Sequence, residues 1–179
     1  MYATVHAFTA PTDARAAVGG GADPVGTVVL AAPDDSGGTV LALWPDADSA
    51  ARAGGRVYRV SDDMRGRAAG RRPMFAQVTW LNGDGDHARA DAAEHGGRNR
   101  IWPAVREIDG VVAVLALRSE DDRIVVVGMG TGRETNDAVQ RTIMTTPLLP
   151  EEDPAMLPGP DRVDMVRVIS ADLPTAVPS

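Results

Sequence analysis

Two groups of side chains in this chain have the types and spacing to do chemistry. The first is His87, Asp91 and His95, at i, i+4 and i+8, one stripe if the segment is a regular helix. Two imidazoles and a carboxylate are metal-ligand types, but three helical turns cannot all reach one ion, and the surroundings are polar. A solvated helix face is the plainer expectation. The second group is Trp80, Asn82, His95, Arg98, Asn99 and Trp102, with Met129 from a neighbouring strand. Indole, amide and guanidinium groups beside a sheet could stack on and orient a planar, oxygenated molecule. The alternative is that Trp80 and Trp102 fill the core while Arg98 lies on the surface.

Other candidates carry less. His6 alternates with Thr4 and Phe8 on a strand, where a hydrogen-bonded core histidine is commoner than a base. The run GMGTGR, residues 128–133, lacks both the lysine of a phosphate loop and a complete G-x-G-x-x-G. It reads as a strand end entering a helix, with small residues that could border a pocket.

Composition removes several classes of function. There is no cysteine, so thiol catalysis and cysteine-ligated metals are excluded. All 18 basic residues are arginine, which excludes lysine Schiff bases. The net charge of −7 argues against general nucleic-acid binding. The longest fully apolar run, residues 111–117, is too short to span a bilayer, and the N-terminal residues lack the pattern of a secretion signal. A cytoplasmic protein with no membrane or nucleic-acid partner is expected.

The elements that must position these residues form a repeated pattern. GTVVLAAPDDSGGTVLALWPD at 26–46 and GVVAVLALRSEDDRIVVVGMG at 110–130 are both apolar runs flanking an acidic turn, 84 positions apart. Around the second hairpin, MFAQVTWLN reads as a strand and Asp86 as a helix N-cap. Ile101, Ala104, Val105 and Ile108 form one apolar helical face that Gly110 closes. Gly96, Gly97 and Pro103 are expected to kink or split this helix. RETNDAVQRTIMTT is a second helix with Ala138, Ile143 and Val139 inward, and VDMVRVIS a last strand. The order is β-α-β-β-α-β.

The first part of the chain repeats it with shorter helices. Its first-helix segment, PTDARAAVGGGADP, allows one or two turns. An antiparallel sheet with helices on one face needs cover for the other. The expected fold is therefore α+β, two ferredoxin-like halves with their sheets packed face to face. The boundaries are 1–63, a linker 64–73, 74–173 and a loose tail 174–179.

This order, clearest in IWPAVREIDGVVAVLALRSEDDRIVVVGMG, resembles the dimeric α/β-barrel superfamily, and within it the antibiotic-biosynthesis-monooxygenase-like group. The resemblance implies a family dimer fused into one polypeptide, either monomeric or a homodimer, and a small-molecule oxygenase or isomerase needing no cofactor. A non-catalytic binding module is the alternative. The family's site uses an asparagine on the first strand, with tryptophan, and in haem degraders histidine, near the second helix. Val78 falls at or near the asparagine position, Asn82 lies further along, and RETNDAVQRTIMTT contains neither Trp nor His. Haem degradation is not expected. The pocket is expected in the second half, between its helices and sheet and lined by Trp80 and Trp102, with Arg98→Ala weakening ligand affinity.

Overall fold

The computed structural model describes residues 1–19 and 23–174. The first half contains β1 (Tyr2–Phe8), a 3₁₀ turn at Pro11–Asp13, α1 (Ala14–Ala17), β2 (Gly26–Ala31), β3 (Gly38–Trp44), α2 (Ala47–Ala53) and β4 (Arg56–Arg65). The second contains β5 (Phe75–Leu81), α3 (His87–Gly96), α4 (Trp102–Val105), β6 (Val111–Ser119), β7 (Ile124–Gly130), α5 (Arg133–Thr145) and β8 (Arg162–Asp172). The expected order is present in both. Part of the glycine run after α1, and residues 175–179 of the expected tail, lie outside the described residues.

Short-range chemistry sets the helix starts. Asp46 accepts the Ser49 N–H at 2.8 Å to begin α2, and Asp86 accepts that of Arg89 at 2.9 Å to begin α3. Between α3 and α4 the chain does not break. Residues Gly97–Ile101 form a π-helical turn, so His87–Val105 runs as one helix with a wide turn in its middle. Pro103 has no N–H to donate and crowds the carbonyl four residues earlier, and a wider turn relieves that crowding. Gly110, at φ 89°, turns the chain into β6 where a side chain would collide with Thr131 and Thr135 of the next helix entry.

All eight strands pair antiparallel in one closed barrel, β1-β3-β2-β8-β5-β7-β6-β4. Each half supplies a four-stranded ferredoxin-like sheet, and the two face each other across a common interior. Their edges are also joined, β2 to β8 and β4 to β6. Two strands run past their expected ends: β4 extends to Arg65 with a bulge between Val60 and Asp62, and β8 to Asp172. The hairpin turn is shorter in the second half. Gly38 opens β3 and Ile124 opens β7, a separation two residues greater than the hydrophobic pattern suggests.

Strand alternation divides the apolar residues between two faces. Val28, Leu41, Leu43, Val78, Leu115, Leu117 and Val127 fill the barrel interior. Ala42, Trp44, Ala50 and Ala53 pack α2 onto the outside of the first half, and Phe8, Ala14 and Val40 pack α1 there. Among the described residues, no helix is long and apolar enough to cross a membrane. Leu115 has no exposed surface. Leu115→Ala should therefore cost about 2–5 kcal/mol in denaturant unfolding, the range for a buried leucine whose site collapses incompletely.

Candidate functional site

A cavity of about 700 Å³ lies outside the barrel, between the second half's sheet and its helices. Its floor is the outward face of three strands: Gln77, Thr79 and Leu81 of β5, Val114 and Ala116 of β6, and Val126 and Gly128 of β7. Ile101, Trp102 and Val105 form one wall, just where the helix widens. Asn136, Val139, Gln140 and Ile143 of α5 form the opposite wall, spaced i, i+3, i+4, i+7. Met156–Asp161, the end of the proline-rich loop, closes one side.

Gly128 makes room for the cavity. A Cβ there would meet nothing within 4 Å, and the backbone is ordinary extended strand. The floor is open because this position has no side chain. On the matching outward face of the first half stands Trp44, 1% exposed. Its Nε1–H donates to Thr4 Oγ1 at 2.9 Å, and the Thr4 hydroxyl lies 2.7 Å from His6 Nε2. Burial holds the His6 pKa below its ordinary value, in keeping with a neutral ring accepting from Thr4.

Three of the seven sequence candidates line the cavity: Asn82, Trp102 and Met129. Asn82, with φ 57°, donates through Nδ2 to the carbonyls of Asp86 and Asp122, at 2.8 and 2.7 Å. Its buried Oδ1 finds no partner among the described residues. Met129 is almost wholly buried and belongs mainly to the barrel interior.

The expected placement of the other four is corrected. Trp80 points to the opposite face of β5, toward the barrel, where its indole N–H donates to Asp164 at 3.0 Å. Strand alternation makes this inevitable once Thr79 and Leu81 face the helices. Arg98 forms a two-pronged pair with Asp62, both contacts 2.9 Å, on the outside of the helix. Asn99 and His95 bond each other at 3.0 Å, and His95 lies 3.4 Å from Glu151. Val78, set at the family's asparagine position, also faces the barrel, and Gln77 and Thr79 are its cavity-facing neighbours.

These displaced residues hold the cavity walls. Arg98–Asp62 ties the helix to β4, and His95–Glu151 ties it to the proline-rich loop. A second fastening on the loop is more buried: Arg100 Nε pairs with Glu152 at 2.7 Å, the glutamate side chain being 3% exposed. Glu152 also accepts the Leu149 N–H at 2.7 Å. Gly96 leaves room for this carboxylate, which a side chain there would push aside. Neither Arg100 nor Glu152 was a candidate from sequence, since nothing in their spacing links a helix to a loop so far along the chain.

The metal-like stripe is taken up by a different network. Arg118 of β6, 9% exposed at its side chain, donates to Asp91 at 2.7 Å, Glu94 at 3.2 Å and Asp122 at 2.7 Å. His87 lies 2.9 Å from Asp122, and His95 is on the loop side. Burial would lower the Arg118 pKa, but its hydrogen bonds to Asp91 and Asp122 outweigh this and hold it raised. The same bonds hold both carboxylates below their ordinary range.

The chief side chain missed by sequence reasoning is Asn136. It is 5% exposed, lines the cavity from the first turn of α5, and its Nδ2 has no partner among the described residues. A polar residue on the inward, apolar face of α5 was its available signal.

Neither a family model nor a curated protein matches the sequence. Solved structures do match along almost the whole chain. A protein described as a monooxygenase from Lactobacillus acidophilus superposes with a TM-score of 0.58 at 8% identity, covering 98% of this chain and 97% of that one. An anthrone oxidase-like protein gives 0.57 at 12% identity, covering 98% and 96%. A heme-degrading enzyme from Listeria monocytogenes gives 0.54 at 8%, covering 93% and 99%. The chain shares the fold of these structures, two ferredoxin-like halves closed into one barrel within one polypeptide. At these identities, the likeness establishes the fold.

Two measurements probe the site's construction. Gly128→Phe should fill part of the floor, leave the melting temperature unchanged or raised, and reduce uptake of apolar probes such as xenon. Asp91 and Asp122 have folded pKa values below their unfolded ones, so their contribution is present above the ordinary carboxylate value, roughly pH 4. It is lost as pH falls through the depressed folded values. Asp122→Asn should therefore make the acid arm of the stability curve shallower in that window, with little change in shape near neutrality.

Proposed function

We propose that the second-half cavity binds a flat, mostly apolar metabolite bearing a carbonyl or hydroxyl oxygen, and oxygenates it without a bound cofactor. The observation that carries this is a large apolar cavity whose most buried polar side chain, Asn136, has an amide donor with no partner among the described residues. A substrate acidic at carbon next to a carbonyl places negative charge on its oxygen when deprotonated. An amide N–H held beside that oxygen stabilises the anion. Dioxygen then oxidises the carbon from CH2 to C=O, one oxygen atom entering the product and the other leaving as water with the two hydrogens. Solved structures of the same fold described as monooxygenases and as anthrone oxidase-like support the reading. It remains with this chain's own residues to supply the chemistry, and the polar groups nearest the apolar floor and the α5 wall include Gln77, Thr79 and Gln140, with Asn82, Glu94 and Arg100 also in the lining.

A second reading has its own observation. Among the described residues, the cavity lining contains no histidine or tyrosine, so proton removal falls to a rim carboxylate such as Glu94 or to the substrate's own acidity. That favours a binding module that holds the metabolite unchanged. Oxygen uptake with anthrone, a flat tricyclic ketone, separates the two. On the enzymatic reading, Asn136→Leu should lower turnover on the order of 10²-fold, the usual effect of losing one oxyanion donor. The melting temperature should barely move, because the lost donor has no protein partner. Saturable binding without uptake would leave the binding module. On the same footing we take the chain to be a monomer, since both barrel seams lie within it; sedimentation at the dimer mass would contradict that.

A further inference from the structure

A second cavity, of about 390 Å³, opens at one end of the barrel interior, on the opposite face of the sheet from the first. Closed barrels of eight strands are just wide enough to be filled by side chains or to hold one small ligand. Aliphatic side chains, among them Val5, Leu41, Val78, Leu117, Val127 and Val166, line this space. They fill the rest of the interior and leave this end of it open.

Its mouth carries a polar group of defined geometry. Arg162, Asp164 and Val166 alternate along β8 and share the inward face. Asp164 Oδ2 accepts the Trp80 indole N–H at 3.0 Å and pairs with Arg162 Nε at 2.9 Å. The Arg162 guanidinium lies over the Trp80 ring, 4.7 Å from its centroid. These contacts use one oxygen of Asp164 and one nitrogen of Arg162. Asp164 Oδ1 and both terminal nitrogens of Arg162 have no partner among the described residues and are open to solvent, the two side chains being 38% and 60% exposed.

We propose that the barrel mouth is a binding site for a neutral apolar alcohol or phenol, separate from the outer cavity. The apolar body enters the barrel, and the hydroxyl accepts from an Arg162 terminal N–H while donating to Asp164 Oδ1. The charges decide the class. Arg162 and Asp164 are adjacent and opposite, so a carboxylate would meet Asp164 and an amine would meet Arg162. A hydroxyl is both donor and acceptor and satisfies the pair without repulsion.

Octan-1-ol and octanoate, titrated against the intact chain with tryptophan fluorescence as readout, test this. Octan-1-ol should bind saturably and octanoate at least tenfold more weakly. Asp164→Asn removes the repelling charge, keeps an acceptor for Trp80, and should narrow or reverse that preference. The response should survive Trp102→Phe, whose indole lies in the outer cavity, and be lost in Trp80→Phe. Val166→Phe, checked by its melting curve, should abolish binding by filling the mouth. Octanoate binding as tightly as octan-1-ol, or a response that follows Trp102, would overturn the proposal. So would undiminished binding by folded Val166→Phe protein.

Discussion

Closure of the sheet is the constraint on which the rest depends. A four-stranded ferredoxin-like sheet leaves two edges and one apolar face uncovered, and either alone invites association. Here β2–β8 and β4–β6 remove the edges, and the shared interior covers both faces. Closure also assigns every strand residue to the inside or the outside with no intermediate choice. A ligand can then be reached from two places only: under the helices, or through an end of the barrel. Both cavities follow from that division.

The halves differ because the same outward face is filled in one and empty in the other. In the first, short helices sit directly on the sheet, and Trp44, Phe8 and alanines occupy the space beneath them. His6 is consumed in positioning Thr4 and Trp44. In the second, Gly128 removes the floor's bulk, the long helix with its π turn stands further out, and the proline-rich loop closes the side. The loop has little secondary structure to locate it, so it depends on Glu151 and Glu152. A buried pair such as Arg100–Glu152 gains little net stability after desolvation. Its effect is to fix where the wall stands.

The architecture was legible because hydrophobic periodicity and caps are local. The strands, the N-cap at Asp86 and the turn at Gly110 each arise within a few residues. The site was only half legible, for a different reason. Neighbours on a strand point to opposite faces, so a candidate such as Trp80 is on the wrong side unless register is known to the residue. Trp102 and Asn82 line the outer cavity, while Arg98, Asn99 and His95 follow helical spacing onto the outer side. Arg98–Asp62, Arg118–Asp91 and Arg100–Glu152 join residues far apart in the chain, and no spacing rule predicts such pairs.

The lining of the outer cavity sets what it can hold. The cavity opens to solvent, so water enters it and no dry void has to be held open. Water is held poorly against Leu81, Val114, Val126 and Ile143, which offer it no hydrogen bonds. On the proposed function, an apolar molecule with one oxygen placed against Asn136 would displace that water and meet an amide donor that has no partner among the described residues. The ion pairs Arg98–Asp62 and Arg100–Glu152 join the wall elements whether or not the cavity is occupied.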